Sequence, residues 1–389
     1  MEVIVLAGGL GTRLRSVIHE IPKCLAPACG VPFLQYLLDW LSAYPVEHVV
    51  FSVGYLREQI IDFVKGHEWP FSYDFAVEET PLGTGGGIRL ALDMCKGDHV
   101  FVVNGDTFFP VNLEKMAFDK AITLALKPMK DFDRYGAVSF DGVLVTAFHE
   151  KQYCSEGLIN GGVYAIDRSR LDLSSLPERF SFEKEVLEPG AAIGEVGGVV
   201  SDAYFIDIGI PEDYERAQWA LPSWKAVKRV SRALMESSAQ TLFLDRDGVL
   251  NRHLPGDYVR TPEMWEWMPG VLEEFPRWAA QFPRIVLVSN QRGVGKGVMS
   301  DEDLSRIHGM MMADVLAAGG RIDLALYCTA LDKDDPRRKP NTGMFEEACG
   351  LFPEIDAKSS VMVGDSPSDA AFAENCGMQF ILLSPEAVS

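Results

Sequence analysis

The sequence contains no Cys-x-x-Cys pair. Its seven cysteines, at 24, 29, 95, 154, 328, 349 and 376, are scattered and odd in number, which argues for reduced thiols and against disulfides or structural zinc. No run approaches the ~18 apolar residues of a membrane span, and Met1 to Gly9 lack the basic flank and apolar length of a signal peptide. A cytoplasmic protein without a membrane partner is therefore expected. Basic residues are in deficit, 36 Lys and Arg against 56 Asp and Glu, for a formal charge of −20. That field repels a polyanion and draws divalent cations to carboxylate clusters, so nucleic acid is excluded as a partner. There is also no internal repeat and no low-complexity segment. What is present is 389 residues, 47% hydrophobic and 24% charged, enough for two globular domains.

Short β-branched or apolar runs recur ahead of turns containing Gly or Asp, at 3–6, 48–53, 99–103, 241–244, 285–288, 360–363 and 380–383. They read as buried parallel strands. Helical patterns lie between many of them, at 33–41, 56–64, 88–95, 300–316 and 343–349. The alternation predicts an α/β protein with two Rossmann-like domains, the first with a mixed, mostly parallel sheet. The polar stretch 215–240, with Pro222 inside it, reads as a helix pair and linker. The domains are accordingly placed at 1–220 and 240–389, joined by a helical linker at 221–239.

The first strand runs into Gly8-Gly9-Leu10-Gly11-Thr12-Arg13. Glycines let the backbone N–H groups approach phosphate oxygens, and Arg13 can grip two of them. The loop has neither the Gly-x-Gly-x-x-Gly of a dinucleotide fold nor the Gly-Lys-Ser/Thr of a Walker loop. Further on, Pro22-Lys23-Cys24-Leu25-Ala26-Pro27 holds one cation between stiffening prolines. Loop and lysine together resemble the signature of the sugar-1-phosphate nucleotidyltransferases.

That resemblance implies roles along this half. Gly8, Gly9, Gly11, Thr12, Arg13 and Lys23 would bind the triphosphate, with Arg13 and Lys23 also catalytic. Glu78, Gly83 and Thr84, in Glu78-Glu79-Thr80-Pro81-Leu82-Gly83-Thr84, would lie at the base. A carboxylate only accepts hydrogen bonds, and guanine offers N–H donors on its pairing edge, so Glu78 favours GTP. Asp106 and Asp207 each end a strand and would hold Mg²⁺. Lys151 would meet the acceptor phosphate, and Glu150, Asn160 and Glu183 the sugar hydroxyls. The implied reaction is in-line attack of a sugar 1-phosphate oxygen on the α-phosphorus, with pyrophosphate leaving.

In the second half a strand leads into Asp245-Arg246-Asp247-Gly248-Val249-Leu250-Asn251. Two carboxylates one residue apart can divide the work, Asp245 attacking phosphorus and Asp247 moving protons. Ser289-Asn290 ends the next strand and can hydrogen-bond phosphoryl oxygens. Arg338-Lys339-Pro340 supplies a lysine, and Gly364-Asp365-Ser366-Pro367-Ser368-Asp369 a further carboxylate. In this order the four segments resemble the motifs of the haloacid dehalogenase-like phosphatases, most closely the histidinol-phosphate and heptose-bisphosphate branch. The resemblance implies Asp245 and Asp247 with Ser289 and Lys339 as catalytic groups, and Mg²⁺ at Asp245, Asp365 and the Asp247 backbone. Asn290 and Arg338 would bind substrate. Members of the branch often carry a His and three Cys before Arg-Lys-Pro, whereas residues 327–337 here hold only Cys328, so no zinc is expected.

The pairing resembles the family of fused heptose enzymes, in which a heptose 1,7-bisphosphate phosphatase is joined to a heptose-1-phosphate guanylyltransferase. It implies small-molecule substrates: a sugar bisphosphate, a sugar 1-phosphate and GTP. A hexose 1-phosphate and a histidinol-phosphate-like monoester remain open as the substrate pair. The sequence also leaves the oligomeric state open, a homo-oligomer included.

Overall fold

The computed structural model describes residues 1–9, 11, 13, 14 and 17–385. They divide into two compact units, Met1–Gln218 and Trp219–Ser389. Among the described residues no helix is long and apolar enough to cross a membrane.

In the first unit, β1 (Glu2–Leu6) is central because Val3, Ile4 and Val5 are apolar on both faces, and all three are fully buried. Helix α1 (Phe33–Leu41) leads to β2 (His48–Val53), and α2 (Arg57–Lys65) to β3 (Ser72–Val77). Helix α3 (Gly83–Leu92) then leads to β4 (His99–Asn104). Strands β3, β2, β1 and β4 pair in that order, all parallel. The carboxyl ends of β1, β2 and β4 therefore share one edge, where the phosphate-type loop, Ser52 and Asp106 emerge. Ligands of open α/β sheets bind at such an edge.

A short β5 (Thr107–Phe108) is followed by β6 (Ile122–Phe132), β7 (Ala137–Phe140), β8 (Val145–Phe148) and β9 (Cys154–Asp167). Strand β9 is antiparallel to β4, β6 and β7, and the sheet is mixed. Its register against β6 shifts between Asn160 and Tyr164, where Asn160-Gly161-Gly162 forms a bulge. Strand β10 (Val196–Val200) extends the sheet parallel to β6, and β11 (Ile206–Asp207) pairs antiparallel with β5. That last pairing sets Asp207 opposite Thr107, next to Asp106.

The stretch expected to form a helix pair and linker is instead one helix, α4 (Pro211–Glu236), with Pro222 inside it. Proline removes a single backbone donor, and burial of Leu221 and Ser223 beside it holds the helix together. In its first turns the Tyr214 hydroxyl donates to Pro27 O at 2.7 Å. Ala226, Val227, Val230 and Leu234 are buried in the core of the second unit.

That unit is a parallel sheet of β12 (Thr241–Leu244), β13 (Arg284–Asn290), β14 (Leu324–Cys328), β15 (Ser360–Gly364) and β16 (Gln379–Leu382), in the order β14-β13-β12-β15-β16. Helices α5 (Val271–Gln281), α6 (Asp301–Ala317), α7 (Gly343–Leu351) and α8 (Pro367–Cys376) supply the crossovers. Leu242, Phe243 and Leu244 are fully buried, each stabilising the unit by roughly 1.5–3 kcal/mol. Their strand ends at Asp245, flanked by the ends of β13 and β15.

Candidate active sites

In the first unit, the loop after β1, the end of β4 and the start of α3 enclose a cavity of about 420 Å³. Gly8, Gly9, Gly11, Arg13, Lys23, Glu78, Gly83, Thr84 and Asp106 all line it. Thr12, expected beside them, lies outside the described residues. Glu78 is held by two donors: Ser52 Oγ to Oε1 at 3.0 Å and the Leu82 N–H to Oε2 at 3.0 Å. Each carboxylate oxygen keeps a lone pair for a base. Gly83 has φ +74°, and a Cβ there would collide with the carbonyl of Phe180, so only glycine admits this close approach. Thr84 Oγ1 accepts the Phe182 N–H at 3.0 Å.

Lys23 Nζ lies 2.6 Å from Asp106 Oδ2 and 3.3 Å from Asp207 Oδ1. The two carboxylates thus converge on a single cation. Burial and the Asp106 charge push the Asp207 carboxyl above its usual value, against the pull of Lys23. Paired hard oxygen donors that share one cationic point suit Mg²⁺. Glu150, Lys151, Asn160 and Glu183 are not among the residues that line the cavity. Glu150 and Lys151 are exposed beyond the end of β8, and Glu183 is exposed at the start of a π-helical turn. Asn160 is committed to its bulge, accepting the Gly162 N–H at 3.0 Å and donating to Tyr164 Oη at 3.1 Å.

In the second unit the strand ends of β12, β13 and β15 bring the four motifs together. Lys339, on the loop before α7, is almost wholly buried between Asp245 Oδ1 at 2.9 Å and Asp369 Oδ1 at 2.6 Å. Burial pushes the Asp245 carboxyl up to about 7, with Lys339 pulling it down. Burial would lower the Lys339 ammonium, but the two carboxylates hold it above its usual value. Asp245, Asp365 and Asp369 can each direct an oxygen within 4.8 Å of the others, a donor set that fits a hard divalent cation. Burial raises the Asp365 carboxyl, and His253 Nδ1 lies 3.2 Å from its Oδ2. At Gly248, φ is +85° and a Cβ would overlap Asp365 Oδ2; glycine leaves that carboxylate its place.

The Asp247 side chain is held by three donors outside this cluster. It accepts from Arg246 Nη2 at 2.9 Å, Asn251 Nδ2 at 3.0 Å and Gln291 Nε2 at 2.8 Å. Burial would raise its carboxyl, but the Arg246 charge and these bonds hold it below the usual range. Arg246 is fully buried, with its Nη1 3.4 Å from His308 Nε2. Burial, then Arg246, pushes His308 down to about 4, so the imidazole is neutral and can accept. Gln291 also donates to Ser289 Oγ at 2.9 Å, leaving the Ser289 proton for a phosphoryl oxygen.

Asn290 and Arg338, expected to meet substrate, also have partners within the protein. Asn290 spends both ends of its amide on the Lys339 backbone, accepting from N and donating to O at 3.0 Å each. Arg338 donates to Leu331 O. Asp369, Gln291 and Ser52 were not singled out from the sequence. Asp369 ends a quoted motif and Gln291 directly follows Ser289-Asn290, so their polarity beside a catalytic residue was an available signal; Ser52 had none.

Residues 2–223, more than half of the chain, match the nucleotidyl transferase family. The chain belongs to that family. Among the relatives of this nucleotidyl transferase is a D-glycero-α-D-manno-heptose 1-phosphate guanylyltransferase from Aneurinibacillus thermoaerophilus. It is 46% identical over 223 residues, which are 56% of this chain and 97% of the relative. The crystal structure of HddC from Yersinia pseudotuberculosis is similar at 36% identity with a TM-score of 0.51, covering 56% of this chain and 97% of that one; HddC has also been solved complexed with GMP-PN. Residues 336–385 of the nucleotidyl transferase match the HAD-hydrolase-like family. Its second unit is similar to a D-glycero-α-D-manno-heptose-1,7-bisphosphate 7-phosphatase from Mycobacterium tuberculosis, 40% identical over 135 residues, 34% of this chain and 71% of the relative.

Proposed function

We propose that the chain is a bifunctional enzyme. Its HAD-like unit removes the 7-phosphate of D-glycero-D-manno-heptose 1,7-bisphosphate, and its nucleotidyltransferase unit transfers GMP from GTP to heptose 1-phosphate, giving GDP-heptose and pyrophosphate. One observation carries this reading. The two relatives' substrates are consecutive: removing the 7-phosphate from the compound on which one acts leaves the compound on which the other acts. The same chain holds a nucleotide-sized cavity in one unit and an Asp-Lys-Asp cluster in the other.

In the phosphatase site Asp245 attacks phosphorus and becomes an aspartyl phosphate, while Lys339 offsets its charge and Ser289 donates to a phosphoryl oxygen. Without substrate Asp247 rests as a carboxylate. An arriving phosphate dianion raises its pKa by like-charge repulsion, so it can carry a proton to the leaving oxygen and later take one from water. In the transferase site Arg13 and Lys23 bind the triphosphate and its departing pyrophosphate, and Glu78 accepts N–H donors of the base. Asp106 with Asp207, and Asp245 with Asp365 and the Asp247 backbone, would hold Mg²⁺. When bound, that ion supplies charge neutralisation at the phosphate oxygens. Lys151, Glu150, Asn160 and Glu183 are assigned to the sugar phosphate. The substrates are small molecules, and the site of action is the cytoplasm.

The decisive experiment supplies heptose 1,7-bisphosphate, GTP and Mg²⁺ and follows phosphate, pyrophosphate and GDP-heptose. The wild-type chain releases both ions and forms GDP-heptose. Release of phosphate without sugar nucleotide, from the bisphosphate and from heptose 1-phosphate alike, refutes the transferase assignment.

A further inference from the structure

The nucleotide cavity has one more cationic side chain at its rim, and no part of the mechanism above uses it. Arg179 lines the cavity, and among the described residues no hydrogen bond or ion pair engages its guanidinium. Its place is set by its neighbour. The Phe180 N–H donates to Leu82 O at 3.0 Å, and Phe180 O accepts the Gly85 N–H at 3.1 Å. Arg89 of α3 fastens the same segment, donating to the carbonyls of Leu173, Leu176 and Glu178 at 3.0–3.3 Å and lying 5.2 Å from the centre of the Phe180 ring. Arg179 therefore belongs to the segment docked on Leu82 and Gly85, and it lines the same cavity as Glu78, Gly83 and Thr84.

We infer that Arg179 reads the guanine O6/N7 edge and, with Glu78, sets the choice of GTP over ATP. The inference rests on the guanylyl-transfer reading and deepens it. A guanidinium presents two parallel N–H donors, which match the adjacent O6 and N7 acceptors of guanine. Glu78 accepts from the neighbouring N1–H and 2-amino group. Adenine fails at both: its 6-amino donor faces a cation and its bare N1 faces a carboxylate. A site that leaves buried or charged groups unpaired with the wrong ligand discriminates more strongly than one that merely fits the right one.

The test compares wild type, Arg179→Ala and Arg179→Lys with GTP, ITP and ATP, measuring nucleotide Kd and kcat/KM for transfer to heptose 1-phosphate. Arg179→Ala should lower the GTP to ATP ratio about ten- to a hundredfold. GTP and ITP should weaken alike, because both carry O6 and N7, while the KM for heptose 1-phosphate stays put. Arg179→Lys, with the charge but not the fork, should fall between. A wild type that prefers GTP and an Arg179→Ala variant that keeps the same ratio would overturn the inference alone. A wild type with no preference for GTP would bring down the guanylyl-transfer reading and this inference with it.

Discussion

The two sites handle phosphorus with similar residues in opposite settings. In the first unit Lys23 bridges two carboxylates at the wall of an open cavity, and the Asp106 side chain is 40% exposed. In the second, Lys339 and Asp369 are almost completely enclosed, and Asp245 keeps 11% exposure. The difference follows from the reactions. Nucleotidyl transfer joins two bound substrates and needs room and movable charges more than a buried nucleophile. A phosphatase that uses its own carboxylate needs that group dry and fixed in place, with a permanent countercharge.

The largest effect should come from separating the sites. Asp245→Asn is expected to reduce phosphate release at least a thousandfold and to leave guanylyl transfer from supplied heptose 1-phosphate near normal; Asp106→Asn should do the reverse. Equal loss of both activities in either variant would mean that the sites are not independent.

A sharper test compares the two lysines for stability. Lys339→Met strands two buried carboxylates and should destabilise the second unit by about 3–5 kcal/mol. Lys23→Met strands the largely buried Asp207 beside an Asp106 that water reaches, and should change the first unit less, by about 1–2 kcal/mol. Denaturant unfolding followed by probes in each unit reads both; similar losses would erase the contrast.

A third comparison concerns a charged cluster with no catalytic duty. Glu274, buried in the second unit, accepts from Lys228 at 2.6 Å, Ser231 at 2.6 Å and Arg277 at 3.2 Å. Burial would raise its carboxyl, but Lys228 and these bonds hold it below the usual range. The unfolded carboxyl takes up its proton near about 4.3 and the folded one only at lower pH. Its contribution, about 2 kcal/mol, is complete above that range and is lost as the pH falls through the folded value. Glu274→Gln should therefore flatten the acid limb of the stability curve, and an unchanged limb would show that the cluster contributes nothing there.

Much of this was legible because phosphate chemistry leaves local signatures. Gly8-Gly9 and Asp245-x-Asp247 follow strands that hydrophobic patterning exposes, and the structure brings Lys23 to the cavity of the first and Lys339 to the Asp245 carboxylate of the second. The long α4 was misread because Pro222 suggests a break, while the burial that sustains the helix through it comes from residues distant in sequence. Asn290 and Arg338 were given to substrate because both can donate. Nothing local reveals that Asn290 also bonds the Lys339 backbone and that Arg338 also donates to Leu331 O.

Sequence alone determined the residue chemistry, the α/β alternation and the two families, since these depend on composition, periodicity and short motifs. The tertiary structure decided which carboxylates share a cation, which donors hold Asp247, and that Arg179 lines the same cavity as Glu78. Those facts depend on strand register and on contacts between residues scores apart in the chain, where neighbours in space and neighbours in sequence differ.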